Sequence, residues 1–317
     1  MIFKNESKMP SNSRNTFYFN IRPVTIIFKI LGAFPLKNTF KKHGDDLMYK
    51  RLSIDTFWGI FLNIMCIIIQ TKYTSMPWLL VLVPYFYLRG IATSLLSFWN
   101  DKYLINIINR IEFFDKSYKD LTGKFPSRNF TSRGRTWLIL TITIFTATAI
   151  GVLRILCLDP RRSLLRISGE SIVALLPWYQ YHSYIILCVL LCVNISSRFL
   201  DIKSYLPILI HDSLSSSKQP WSLSLNILRD EEEHCLEKIR ILHAYLSLTV
   251  DEVNKCYSSR CTLFLITFFA EISLNFIQYI YHYGMVNKIV LAIFAIQISC
   301  LYIVGSVAED LSNSVST

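Results

Sequence analysis

Residues 171 to 197 run for 27 positions without a formal charge, and a segment of that kind must be buried somewhere. A membrane helix needs roughly 20 mostly apolar residues to cross about 30 Å of hydrocarbon. The same scale recurs along the chain. Residues 289 to 308 hold 20 uncharged positions and residues 136 to 153 hold 18. Residues 73 to 100 are interrupted only by Arg89, and residues 261 to 287 only by Glu271. A shorter run of 16 occupies residues 56 to 71. Across all 317 residues, 52% are hydrophobic and 17% charged, and the mean hydropathy is +0.37. A soluble globule of this size has no interior able to take so many long apolar blocks. The expected fold is therefore all-α, a polytopic membrane helical bundle. Six crossings are placed near 54–72, 77–99, 137–158, 173–197, 261–283 and 288–308.

Charge gives the orientation. Ten Lys and Arg precede the first crossing, eight lie in the loop 100–136, and seven lie in the loop 198–260 once the boundary residue Arg198 is left out. The opposite side holds five: Lys72, Arg161, Arg162, Arg166 and Lys288. Cationic loops stay on the cytoplasmic side, so an intracellular N-terminus is expected, and after six crossings a cytoplasmic C-terminus. The expected organisation is a cytoplasmic N-terminal segment with an interfacial helix at 1–53, a six-helix transmembrane domain at 54–308, and a short cytoplasmic tail at 309–317. Residues 1 to 20 are polar and basic, without the apolar core of a signal peptide, so the first crossing is expected to insert itself. The net charge of +11 follows from topology and anionic inner-leaflet lipid, and no groove-reading helix or zinc-finger spacing accompanies it, so no nucleic acid is expected as a partner.

Outside the crossings two helices are expected. Residues 23–36 are apolar apart from Lys29, too short to span, and end near Pro35. They suit a helix lying on the inner leaflet or packed against the cytoplasmic ends of the bundle, with Pro35 as its stop. Ile239, Leu242, Leu246, Val250 and Val253 recur at steps of three and four, which predicts a helix over roughly 228–258 running into crossing five. Glu237 and Arg240 face one another on it at i,i+3.

Five of the eight cysteines, Cys66, Cys188, Cys192, Cys261 and Cys300, fall in crossings, so no secreted disulfide framework is expected. Enzyme signatures are lacking. No His-Glu-x-x-His pair, dinucleotide loop or phosphate loop is present, and His234, Cys235 and His243 lack metal-ligand spacing. The chain is read as no enzyme, with no cofactor and no metal.

The polar residues inside the crossings carry the functional reading. Glu271, Asn275, Gln278 and His282 share one face of crossing five, and such a stripe points into the bundle, either as helix glue or toward a wet, ligand-accessible cavity. Arg89, in the middle of crossing two, is a candidate partner for Glu271. Tyr85, Tyr87, Trp178, Tyr179, Tyr181, His182 and Tyr184 add aromatic faces with hydrogen-bonding tips, which suit a small amphipathic ligand or an interfacial belt. The candidate ligand-binding residues are Tyr85, Arg89, Tyr181, His182, Glu271, Gln278 and His282.

Three stretches then carry a resemblance. Arg22-Pro23 followed by Lys29-Ile30-Leu31-Gly32-Ala33-Phe34-Pro35 is similar to the lead-in before the first crossing of the insect gustatory receptors, members of the insect chemoreceptor superfamily. Residues 241 to 246 with 253 to 257 resemble that family's entry to its fifth crossing, and residues 307 to 311 resemble the exit of its sixth. The resemblance implies seven crossings and a taste receptor for small external molecules. It also implies a ligand-gated cation channel assembled as a tetramer, homo- or hetero-oligomeric with other gustatory receptor subunits, in the plasma membrane of sensory neurons. The family's Thr-Tyr and Gln-Phe signature of the seventh, pore-lining helix has no match here. The chain is expected to lack that helix, as a truncated product, a short isoform or a non-conducting partner. An odorant receptor subunit and a non-conducting assembly or regulatory membrane subunit are the alternatives.

Overall fold

The computed structural model describes residues 17–39, 47–49, 54–73, 79–126, 164–216, 224–281, 298, 302 and 305–315. Among these, six named helices follow one another: α1 (Phe17–Ile30), α2 (Ile54–Tyr73), α3 (Leu79–Asn100), α4 (Lys102–Thr122), α5 (Leu164–Ser216) and α6 (Ser224–Tyr281). Residues 305–315 are also helical. The one β feature among the described residues is an isolated antiparallel bridge between Lys37 and Met48. Crossing three, and crossing six apart from residues 298, 302 and 305–308, lie outside the described residues.

Helices α2 and α3 match the first two predicted crossings to within two residues at either end. The two long helices do not follow hydropathy so closely. At 53 and 58 residues, α5 and α6 are about 80 Å and 87 Å long at 1.5 Å per residue, far more than the roughly 30 Å of a bilayer core. Each must serve two environments. The cytoplasmic helix predicted over 228–258 is continuous with crossing five as α6, starting at Ser224.

Two tiers result. In the upper one, α2, α3 and the first part of α5 pack together, and α3 also meets α6. Its core includes Tyr181, Ile185, Phe264 and Phe268. In the lower one, α4 lies along α6, and α1 lies against α4. The lower core collects Phe17, Ile21, Val24 and Phe28 of α1, Leu104, Ile107, Ile111 and Phe114 of α4, Leu191, Ile195 and Phe199 of α5, and Ile239, Leu242 and Leu246 of α6. These positions recur at three and four, so each helix buries one stripe.

Buried ion pairs fasten the lower tier. Arg198 of α5 forks onto Asp115 of α4 with both bonds at 2.8 Å, and its Nη1 donates to the Asn194 carbonyl at 2.7 Å. Arg260 of α6 pairs with Asp101, at the junction of α3 and α4, with 1% side-chain exposure on both. Asp101 occupies the N-cap position of α4 yet makes no side-chain cap, because its carboxylate is turned to Arg260. Glu237 and Arg240, on the exposed face, form the i,i+3 pair expected of them at 2.7 Å.

The amino-terminal helix differs from its expected form. It begins at Phe17 rather than near Pro23 and ends at Ile30, two residues before Gly32, rather than at Pro35. Gly32 takes a left-handed conformation with φ +75°, and Ala33 N–H reaches back to the Phe28 carbonyl at 2.7 Å, a Schellman stop. Pro23 is accommodated inside the helix. The helix packs into the protein: Tyr18 N–H donates to Glu112 at 3.1 Å and its hydroxyl to the Thr39 carbonyl at 2.8 Å. Burial pushes the Tyr18 phenol up to about 12, which keeps it protonated as a donor.

Candidate functional site

Arg89 sits in the middle of an otherwise apolar helix and is 3% exposed. A guanidinium there must find electron-rich or acidic company inside the protein. It lies over the ring of Tyr181, 3.9 Å from the centroid, so α3 and α5 meet through a cation–π contact. Out of bulk water such a contact contributes about 2 kcal/mol or more.

Tyr181 carries the contact on to α6. Its hydroxyl lies 2.6 Å from Thr267 Oγ1. The Thr267 hydroxyl is itself 2.8 Å from the Leu263 carbonyl. A hydroxyl has one proton to give, so Thr267 donates to its own helix and Tyr181 donates to Thr267. Phe264 stacks on Tyr181 at 5.6 Å, and His182 meets it edge-on at 5.4 Å. One side chain of α5 thus touches both α3 and α6.

Below this contact lie the groups that join the tiers. Tyr184, one turn along α5 from Tyr181, has its ring 4.4 Å from the Arg260 guanidinium. Asn100 donates to Ser259 at 2.7 Å at the same level. Tyr181 and His182 therefore stand about one turn above the lower tier.

A second polar group flanks the first. Gln180 is 1% exposed, and its Nε2 donates to Ser94 Oγ at 3.0 Å and lies 3.4 Å from the Gly32 carbonyl. Asn63 Nδ2 donates to Gln180 Oε1 and to the Gly59 carbonyl at 2.7 Å. The helices come this close because position 59 has no side chain: a Cβ there would lie 2.6 Å from both Gln180 Nε2 and the Gly32 carbonyl.

Of the predicted site residues, Arg89, Tyr181 and His182 are brought together. Tyr85 and Gln278 lie on α3 and α6, and position 271 is one turn beyond Thr267 in α6, but these three side chains, like that of Asn275, fall outside the described residues, as does His282. The Arg89–Glu271 pair rests on the same limit, although α3 and α6 do pack together. Thr267, Gln180, Asn63 and Ser94 were missed. Each is an uncharged polar residue within a run of apolar residues that carries no charge nearby except Arg89 or Glu271, which was the signal available for them. Among the described residues no group of three or more His, Cys, Asp or Glu stands close enough to hold a metal ion.

A protein-family model described as 7tm Chemosensory receptor matches residues 21–313. No curated protein matches the chain, and no solved structure does.

Proposed function

The chain belongs to the 7tm chemosensory receptor family, and from that membership we propose that it is a gustatory receptor subunit whose ligand is sensed at the junction of α3, α5 and α6. The observation that carries this reading is the contact chain Arg89–Tyr181–Thr267, which links three helices through one aromatic side chain. The ligand is a small external molecule. Tyr85, His182, Glu271, Gln278 and His282 are the further ligand residues of this proposal. A hydroxylated or anionic ligand would compete for Arg89 and for the Tyr181 hydroxyl, and so would alter how α5 is held against its two neighbours. Such a ligand gates only through unequal affinity for the two states. Moving a 1:99 equilibrium to 99:1 needs about a 10⁴-fold difference.

In this reading the chain works in the plasma membrane of sensory neurons within a tetrameric, ligand-gated cation channel, as homo-oligomer or with other gustatory subunits. The test is ligand-evoked cation current from cells expressing the chain, alone or with gustatory subunits, against sugars, bitter amines, amino acids and organic acids. Tyr181→Ala and Arg89→Gln should raise the half-activating concentration about tenfold or more at unchanged surface level, the equivalent of about 1.4 kcal/mol. Current evoked by volatile odorants and by none of the tastants would replace the gustatory reading with the odorant one. Opposite-charge exchange at Arg89 and Glu271 checks their pairing: recovery in the double variant supports it, and its failure dismisses it.

The two tiers also bear on topology. In this reading the lower tier, with its charged helix α4, lies in the cytoplasm. A cysteine replacing the exposed Lys203 should react with a membrane-impermeant maleimide only after the cells are permeabilised. Labelling of intact cells at that position would reverse the placement.

A further inference from the structure

Gln180 and Tyr181 are neighbours in α5, and they face different parts of the protein. Successive helical residues point about 100° apart. Tyr181 is turned to α3 and α6. Gln180 is turned to α2, to Ser94 of α3 and to the end of α1, where its amide meets Asn63, Ser94 and the Gly32 carbonyl. Gly32 is the residue that stops α1, so the hub holds the position of that helix end. Two further bonds fix α1 against the start of α2: Trp58 Nε1 donates to the Ile30 carbonyl at 3.0 Å, and Lys29 pairs with Asp55 at 3.0 Å.

We propose that Gln180 is a positioning residue which couples the Tyr181 contact to the amino-terminal helix, so that α1 is part of the receptor's conformational response. The proposal rests on the ligand reading above for its biological use, but the physical coupling does not need it. A rotation of α5 by about 20° carries a side-chain tip at about 5 Å radius through nearly 2 Å. Hydrogen bonds of about 3 Å do not survive that displacement. A turn of α5 that releases Tyr181 therefore also breaks the Gln180 bonds to α2, α3 and Gly32. The network has room for a second arrangement: among the described residues Asn63 Oδ1 has no donor, and it faces the bare Cα of Gly90. An amide hub with a spare acceptor can exchange one set of partners for another, which is the property a two-position element requires.

The test uses hydrogen–deuterium exchange on the purified full chain in lipid nanodiscs, read over residues 28–36, with no ligand and no current. The Tyr181 contacts described above are with α3 and α6, yet Tyr181→Ala should speed the exchange of residues 28–36 about fivefold, the effect of one hydrogen bond's worth of stabilisation. In a Gln180→Leu background, where the hub is already open, adding Tyr181→Ala should change nothing further. Gln180→Glu, nearly the same shape, and Ser94→Ala, which removes one acceptor, give the same comparison if Gln180→Leu does not fold. If residues 28–36 respond to the Gln180 variants but not to Tyr181→Ala, or if the two effects simply multiply, Gln180 is a local brace and the coupling is wrong. Coupling without tastant-evoked current would leave the positioning role standing and remove the taste reading alone.

Discussion

Replacing Arg260 with methionine should destabilise the protein by about 3–5 kcal/mol, the range found when one member of a buried ion pair is removed and the other stays charged. Arg260 and Asp101 are each 1% exposed in their side chains, so Asp101 would be left ionised without bulk water to solvate it. Burial pushes the Cys256 thiol, 3.8 Å from Arg260, up to about 12, so it stays neutral and takes no part in the charge balance of the pair. The guanidinium also loses its positions 4.4 Å from the Tyr184 ring and 5.6 Å from the Tyr257 ring. Thermal melting of detergent-solubilised receptor, followed by fluorescence-detected size exclusion, reads the loss. The pairing of Asp101→Asn with Arg260→Met should recover much of it, since no unbalanced charge remains. Arg240→Met, on the exposed pair with Glu237, serves as the reference and should leave the melting temperature essentially unchanged, because solvent screens that pair. A loss at Arg260 no larger than that at Arg240 would contradict the buried-pair account.

Gly59→Val should be comparably damaging, with little folded receptor recovered. Its Cβ would lie 2.6 Å from the Gly32 carbonyl, which is backbone and cannot swing aside, and 3.0 Å from Ser94 Oγ. Overpacking of this kind costs about 1–3 kcal/mol, and displacing the Gln180 hydrogen bonds adds about 1 kcal/mol for each one left unmade. Gly305→Ala is the matched control. Among the described residues nothing lies within 4 Å of a Cβ there, so the helix should be unchanged or stabilised by up to about 1 kcal/mol. Equal yields of the two variants would show that α1 and α2 can separate without penalty.

How much of this was legible beforehand differs from element to element. The helices of the first two predicted crossings were readable because α2 is apolar between Asp55 and Lys72 and α3 is apolar apart from Arg89 up to Asp101. The lower half of α6 was readable from the three-and-four recurrence of Ile239, Leu242 and Leu246, all of which are buried. Crossing four was less readable. The apolar stretch Tyr179–Ile208 is long enough to span, yet 67% of its most apolar window is buried inside the protein. Leu191, Ile195 and Phe199 in its lower part pack with α1, α4 and α6. A protein core and a bilayer select the same side chains, so hydropathy cannot tell which of them covers a given residue.

The site divides in the same way. Arg89 stood out because a cation inside an apolar helix is costly, and Tyr181 and His182 because aromatic faces with hydrogen-bonding tips suit a small amphipathic ligand as well as an interfacial belt. Gln180, Asn63 and Ser94 drew no notice singly, since an uncharged polar residue in a membrane helix has many tolerable neighbours.

The sequence alone established an all-helical membrane chain of the chemoreceptor kind, with the apolar runs, the one-sided Lys and Arg, and the isolated polar residues that any such bundle must hide. Hydropathy and charge are properties of single residues and short windows, and they suffice for that. Which helices meet was decided only by the tertiary structure: Arg198 finds Asp115 across 83 residues, Arg260 finds Asp101 across 159, and Gln180 finds Gly32 across 148. Partners so distant in the chain are chosen by packing and by the need to balance each buried charge and amide, and no local pattern encodes that choice.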